Sequence, residues 1–302
     1  MNKPFKLKPI FKDYLWGGQK LITNFHKETS INPCAESWEF STHEAGISFV
    51  DSGEYKGLDI KTLFKRHPEF LGKYANENGD IPILIKLIDA KGDLSIQVHP
   101  SDEYALKHEN SLGKTEVWYM LDSDNGKLAV GFKEDVNEEI VKNAIADNTI
   151  CDYINYFDVK NDEFYPIEAG TVHAIGAGCL LAEIQENSNL TYRLYDYDRK
   201  DKNGNKRELH IDKALKVLNY SKYNKPNQSE LNYECKYFKL TKISGPNTVE
   251  TNKNNFVVLM CMKPSIIKCE NEVIDAKLGD TIFVPSVCTT FIEYGQFLKV
   301  EV

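Results

Sequence analysis

The sequence contains no apolar run approaching the roughly 18 residues that a helix needs to cross a membrane. It contains no C-x-x-C pair, and its cysteines number seven, an odd count. A disulfide framework and a structural zinc knuckle are therefore both unexpected, and free thiols in a reducing compartment are expected instead. Positive charge is not in excess: 37 Lys and Arg stand against 45 Asp and Glu, for a net charge of −8. That balance excludes the broad basic face that nucleic acid requires. It also means that an anionic ligand must be held by a local cluster of cations against the overall field. Residues 1–10 carry lysines and prolines where a signal peptide would carry its apolar stretch. The expectation is a soluble, cytoplasmic protein with no nucleic-acid or membrane partner. The oligomeric state is left open, and a monomer is compatible with the composition.

What is present is a chain of 302 residues, 41% hydrophobic and 27% charged, enough for two small domains or one large one. Short apolar or alternating runs rich in Val, Ile, Phe and Tyr, punctuated by Gly, Asn, Asp or Pro, predict many strands in a barrel or sandwich. Strands are expected over 81–89, 94–99, 116–121, 127–132, 180–185, 191–195, 256–262 and 281–285. Helices are few. Asp135 with Glu138 resembles a capping box, with Val136, Ile140, Val141 and Ala144 at helical spacing behind it. A second helix is expected over 208–219, from Ile211, Ala214, Leu215 and Leu218, and shorter ones after Asp59 and Ser101. The polar stretch 220–229 reads as a linker, dividing the chain into 1–225 and 226–302. Aligned on Pro166 and Pro285, residues 162–173 and 281–292 echo one another, and His173 falls opposite Ile292. Two barrels of one type and a chance likeness of two hairpins both remain open.

Three segments carry the chemistry. In 94–99, alternation puts Leu94, Ile96 and Val98 on one face and Ser95, Gln97 and His99 on the other. Taken alone, this is an ordinary strand with one polar side. In 113–121, Glu116 shares a face with Trp118 and Met120, an unfavourable place for a buried carboxylate unless it is paired or bound to a metal; an edge strand facing water would also accommodate it. In 168–175, Gly170 makes a turn and His173 opens the next strand, where a hydrogen-bonded structural histidine is the plain alternative. Together the three supply two imidazoles, a carboxylate and an amide oxygen. Zinc accepts that set, and manganese, cobalt or iron can bind it too. The remaining histidines, His26, His43, His67, His108 and His210, fall outside the pattern and are expected to be surface or structural.

Cations form the second clue. Lys86 interrupts the apolar run 83–88 and needs an anionic partner if it is buried, unless its stem carries the ammonium out to solvent. Lys114 lies two residues before Glu116 and shares its face. Arg193 shares a strand face with Thr191 and Tyr195. A metal beside fixed cations suits a phosphorylated small molecule.

Gln97-Val-His-Pro100, Gly113-Lys-Thr-Glu116, Gly170-Thr-Val-His-Ala174 and Thr191-Tyr-Arg-Leu-Tyr-Asp196 stand in the order and spacing of the type I mannose-6-phosphate isomerases. The chain resembles the short bacterial form of that family from Trp16-Gly-Gly18 through Glu36-Ser-Trp38 to about residue 218. The resemblance is looser beyond, where Leu278-Gly-Asp280 and Pro285 fit. It implies a mainly β fold of two cupin (jelly-roll) barrels with a few helical insertions, a catalytic domain 1–225 and a metal-free cupin-like domain 226–302. It implies one Zn2+, with Mn2+ or Co2+ as substitutes, on Gln97, His99, Glu116 and His173. It implies catalytic roles for Arg193 and Glu183, and substrate contacts from Lys114, Lys86, Ser95, Trp16, Glu36, Asn189 and Arg199. The helical insertion of the larger forms is reduced here, so any pocket wall that they build from it is in question.

The activity implied is aldose–ketose isomerisation between mannose 6-phosphate and fructose 6-phosphate through a cis-enediol. Glu183, a metal-bound water and Lys114 are all candidates for carrying the proton. Two other classes compete: a cupin dioxygenase using iron, and a non-catalytic sugar-binding cupin. Gln97 in place of a third histidine, and the three cations, count against the dioxygenase. The complete ligand set with Arg193 counts against a purely binding role.

Overall fold

Alternating side chains need two faces to bury, and this chain provides a partner for each face of each sheet. The computed structural model describes residues 2–200 and 204–302, and among these it contains three antiparallel sheets and a few short helices. The first sheet has six strands, in the order Phe164–Ile167, Glu116–Ser123, Cys179–Glu186, Ile83–Ala90, Glu36–Phe40 and Ile10–Lys12. The second has five: Tyr192–Tyr195, Ile96–Val98, His173–Ile175, Lys127–Phe132 and Ile154–Asp158. These two face each other as a barrel, and Ile88, Trp118, Met120 and Leu181 of one meet Leu128, Val130 and Ile175 of the other inside it.

The third sheet, of nine strands, belongs mostly to the C-terminal part, but Phe5–Lys8 joins it by pairing with Thr281–Val284, and Phe49–Val50 follows. The largest apolar cluster fills the space between this sheet and the outer face of the six-stranded one. There Ile83, Ile85, Leu87, Val117 and Tyr119 pack with Phe256, Val258, Phe283 and Val300. A separate cluster of Leu259, Ile267, Ile282, Ile292 and Phe297 lies on the other face of the nine-stranded sheet. The fold is thus mainly β, as expected, with the two-barrel arrangement that the resemblance implies. No helix among the described residues is long and apolar enough to cross a membrane.

Helices cover the outer face of the five-stranded sheet. Val141 and Ala144 of Glu138–Ala146, and Ala214 and Leu215 of Ile211–Val217, pack on Ile96, Val98 and Ala129. This cover explains the polarity of the 94–99 stretch. Its apolar face points outward to the helices, so its polar face points into the barrel. The alternation begins at Ile96, since Leu94 precedes the strand and lines the interior cavity beside Ser95. The capping box expected at Asp135 does not form. Asn137 is the N-cap and accepts from Ile140 N at 2.9 Å, while Asp135 accepts from Lys222 N. A cap must stand immediately before the first turn to reach its free N–H groups, and Asp135 stands two residues too early. Asp59 caps Ile60–Arg66 through Thr62 N at 2.7 Å.

A buried ion pair ties the two parts together. Glu39, fully buried, holds Lys27 at 2.6 Å and accepts from Ser37 and from Thr281 of the C-terminal sheet; Lys27 also donates to Gly279 O. Removing one partner of such a pair strands the other charge in a dry place. Glu39→Ala is expected to lower unfolding stability by about 3–5 kcal/mol. Denaturant titration checks this, and a loss below about 1 kcal/mol, the range of an exposed pair, would show that Lys27 finds water.

Candidate active site

The barrel interior opens through a cavity of about 360 Å³. Behind the lining residues Gln97 and Lys114, and in contact with them, three residues converge: His99 just beyond Ile96–Val98, Glu116 at the start of its strand and His173 at the start of His173–Ile175. Their ligating atoms all lie within 4.8 Å of one another, and all three side chains are buried. Gly170 makes the approach to His173 possible. Its φ of +91° suits glycine, and its N–H donates to His99 O, which fixes the two histidine segments against each other.

The hydrogen bonds define what the imidazoles present to the centre. His99 Nδ1 lies 2.9 Å from Leu190 O, and His173 Nδ1 lies 2.8 Å from Thr171 O. A carbonyl only accepts, so both Nδ1 atoms carry the proton. Burial, the largest influence, pushes both histidines below their ordinary value, His173 to about 4. The rings are therefore neutral, and each Nε2 offers a lone pair. Those two lone pairs face each other at 3.1 Å, and each lies 3.7 Å from a Glu116 oxygen. Lys114 Nζ approaches to 2.9 Å of Glu116 Oε2, but off a hydrogen-bonding direction, and neither carboxylate oxygen has a hydrogen-bond donor among the described residues. Four buried acceptor atoms thus converge, with the Lys114 ammonium, 3.2 Å from His99 Nε2, as a fixed donor beside them, and two neutral imidazole nitrogens next to a carboxylate match what a divalent cation needs. Gln97 stands beside them with its amide nitrogen 3.3 Å from His173 Nε2, and turning the amide over presents Oε1 in its place. The residues fit a metal.

Around this centre the charges are interlocked. Lys86, in mid-strand and buried, has the anionic partners its burial requires: Glu183 at 3.0 Å and Glu36 at 4.0 Å. Burial alone would lower the Lys86 pKa, but these two carboxylates outweigh it and raise it. Burial likewise opposes ionisation of Glu183. Lys114 and Lys86, with hydrogen bonds from Lys86 and Trp118 Nε1, outweigh it and hold the carboxyl down at about 2. Trp118 also meets the His173 ring edge-on at 5.4 Å between centroids. Trp38 Nε1 donates to Glu36, and the Lys86 ammonium lies 5.3 Å from the Trp38 ring centre. The alternation of Glu36-Ser-Trp38 thereby serves the site on one face and the buried Lys27–Glu39 pair on the other.

Trp16, Glu36, Lys86, Ser95, Gln97 and Lys114 all line the cavity, as do Glu183, Asn189 and Arg193. Trp16 is held there by its two following glycines. A Cβ on Gly17 would sit 2.5 Å from the Ala35 Cβ, and one on Gly18 would sit 2.3 Å from Asp89 Oδ2. Arg199 is not among the lining residues. It turns away to Asp196 and to Asp93 O. Besides apolar residues such as Ile88, Ile175 and Leu190, the lining includes Tyr14, stacked on Trp16 at 5.5 Å, Arg207 and His210, whose place there the sequence did not reveal. His210, expected to be surface or structural, faces the cavity. The helix expected from 208 starts only at Ile211 because His210 is bound to Arg193: its N–H donates to Arg193 O at 2.8 Å, and its Nδ1 accepts from Arg193 N at 3.3 Å. Periodicity could not reveal that tertiary competition.

Comparison with known proteins agrees with these features. The model of the phosphomannose isomerase type I catalytic domain matches residues 4–136. Mannose-6-phosphate isomerase ManA of Bacillus subtilis is 35% identical over 306 residues, covering 94% of this chain and 93% of that protein. The mannose-6-phosphate isomerase of Streptococcus mutans is 37% identical over 222 residues, covering 74% and 70% respectively. The crystal structure of a mannose 6-phosphate isomerase from Bacillus subtilis superposes with a TM-score of 0.88 at 31% identity, covering 100% of both chains. With its barrel, its buried His–Glu–His centre and these relatives, the chain belongs to the type I phosphomannose isomerase family.

Proposed function

We propose that this protein interconverts mannose 6-phosphate and fructose 6-phosphate, and that a divalent metal, zinc in the first instance with manganese or cobalt as substitutes, is held by Gln97, His99, Glu116 and His173. The observation that carries the proposal is the pair of imidazole lone pairs facing each other beside the buried Glu116 carboxylate, just behind Gln97 and Lys114 in the wall of a cavity lined by cations. When bound, such a metal acts as a Lewis acid on sugar oxygens.

The protein's own groups do the rest. Moving a hydrogen between C2 and C1 through an enediol builds negative charge on the two sugar oxygens. Lys86, Lys114 and Arg193 line the cavity as fixed positive charges that need no reorganisation as that charge appears. Against the opposing effect of burial, Lys114, Lys86 and the Trp118 N–H hold the Glu183 carboxyl below the ordinary carboxylate range and keep it ionised, so it fixes Lys86 in place. Glu183, Lys114 and a water are the candidates for carrying the proton. The stacked Tyr14–Trp16 pair forms an apolar wall at the cavity for the sugar's carbon chain.

The cytoplasmic location, a sugar phosphate as the small-molecule partner and the absence of nucleic-acid and membrane partners belong to the same proposal, which is compatible with a monomer and leaves the oligomeric state open. So does the division into 1–225, which holds the whole site, and 226–302, although the strand Phe5–Lys8 pairs across it. A coupled assay for fructose 6-phosphate, run on protein of measured metal content, is the test. Turnover that disappears with a chelator and returns with zinc is expected. Metal-loaded protein that turns over no mannose 6-phosphate would overturn the proposal, and oxygen uptake by iron-loaded protein would point to the dioxygenase instead.

A further inference from the structure

Resting on the sugar-phosphate reading above, we infer that Arg207, with His210, forms the subsite for the substrate's phosphate on the outer wall of the cavity, beyond Arg193, and that Asp196 is the residue that positions Arg207. The inner cations are already committed. Lys86 is held by Glu183 and Glu36, and Lys114 by Glu116 and His99. A phosphate placed among them would meet three buried carboxylates at close range. The outer wall has the opposite balance. Arg207 binds Asp196 through two contacts, Nε to Oδ2 at 2.7 Å and Nη2 to Oδ1 at 2.5 Å, and Arg199 occupies the same carboxylate at 2.5 Å. Two guanidinium groups thus share one buried carboxylate, and with Arg193 counted against the exposed Glu208 carboxylate, 4.0 Å from His210 Nε2, the wall keeps net positive charge.

Arg193 and Arg207 also repel. Burial first, then the charge of Arg207, pushes the Arg193 pKa below its ordinary value. Two cations that a fold holds close, both lining one cavity, are relieved by an anion bound at Arg207. The bidentate grip of Asp196 sets the Arg207 plane in advance, so little side-chain entropy remains to be lost on binding.

Register gives the spacing. Arg193 lies opposite Gln97 in the sheet, and His210 is hydrogen-bonded to the backbone of Arg193. Gln97, Arg193 and His210 therefore stand side by side, and two strand spacings amount to about 10 Å. An open six-carbon chain with its carbonyl end at the metal ligands can reach across that distance with its terminal phosphate.

The test is steady-state kinetics on the metal-loaded enzyme, with inorganic phosphate as a competitive inhibitor. Arg207→Gln is expected to raise both the KM for mannose 6-phosphate and the phosphate inhibition constant by roughly tenfold or more, with a smaller fall in kcat. Asp196→Asn should move both in the same direction by less, and Arg207→Lys should fall between wild type and Arg207→Gln. Constants within twofold of wild type, or a loss confined to kcat, would overturn the inference. If Arg207→Gln does not fold, Arg207→Lys decides: a severalfold weaker phosphate inhibition supports the subsite, and an unchanged one removes it. Calorimetric titration with inorganic phosphate needs no turnover. An inactive wild type would therefore sink the proposed reaction, whereas equal phosphate binding by wild type and variant would sink the subsite alone.

Discussion

A His173→Ala protein is expected to lose most of its metal and to isomerise mannose 6-phosphate roughly a thousandfold more slowly, the several kcal/mol that a Lewis acid contributes being about that factor in rate. The expectation follows from the way the histidine is prepared. Its Nδ1–H is committed to Thr171 O, which leaves Nε2 as a fixed donor atom facing His99 Nε2 and Glu116. Removing the ring takes away one nitrogen ligand and leaves Glu116 buried, with burial and the nearby Glu183 charge both acting against its ionised form. Elemental analysis measures the metal directly. A second readout is thermal: a ligand that binds only the folded state stabilises it by mass action, by about 4 kcal/mol at a thousand times its dissociation constant. Zinc should therefore raise the wild-type Tm and leave that of His173→Ala nearly unmoved. A variant that keeps one metal per chain and its activity would show that the three ligands do not act together.

Arg193→Ala is expected to behave differently: full metal content, an intact fold and kcat/KM lower by roughly a hundred- to a thousandfold, the loss typical of removing one preorganised charge from a developing oxyanion. Arg193 lies in a short strand beside Gln97, and its side chain is only half-buried, with one contact to Glu208 O at 3.4 Å. The fold does not depend on it, because Tyr192 and Leu194, on the opposite face, supply the packing. Activity within threefold of wild type would remove Arg193 from the reaction. Loss of metal along with activity would mean that it shapes the Gln97 strand rather than the substrate.

Much of this centre was legible in the sequence because strand alternation is a local rule. Glu116 and Lys114, or Gln97 and His99, share a face for reasons confined to a few residues, and a lysine in an apolar run announces a buried partner. The identity of that partner was not local. Lys86 meets Glu183 because their strands pair in a register that only the assembled sheet defines. Helix boundaries failed for similar reasons. Asn137 displaced Asp135 as the cap, and the contact of His210 with Arg193 shortened the helix after it. Arg207 and His210 lie outside the strand pattern and carry no periodic signal. The place of Arg207 in the cavity depends on Asp196, eleven residues before it, and that of His210 on the Arg193 backbone.

The pairing of Phe5–Lys8 with Thr281–Val284 has a bearing on how the molecule is made. At translation rates of about 5–20 residues per second, residue 284 follows Phe5 by on the order of tens of seconds. Throughout that wait, Phe5 and Leu7 lack the strand that shelters them, as do the Ile83, Ile85 and Leu87 side chains that pack in the same cluster. The emerging chain therefore shows a sticky, half-built surface for on the order of ten seconds after its catalytic wall has been synthesised, and that surface is where holding chaperones would find their grip.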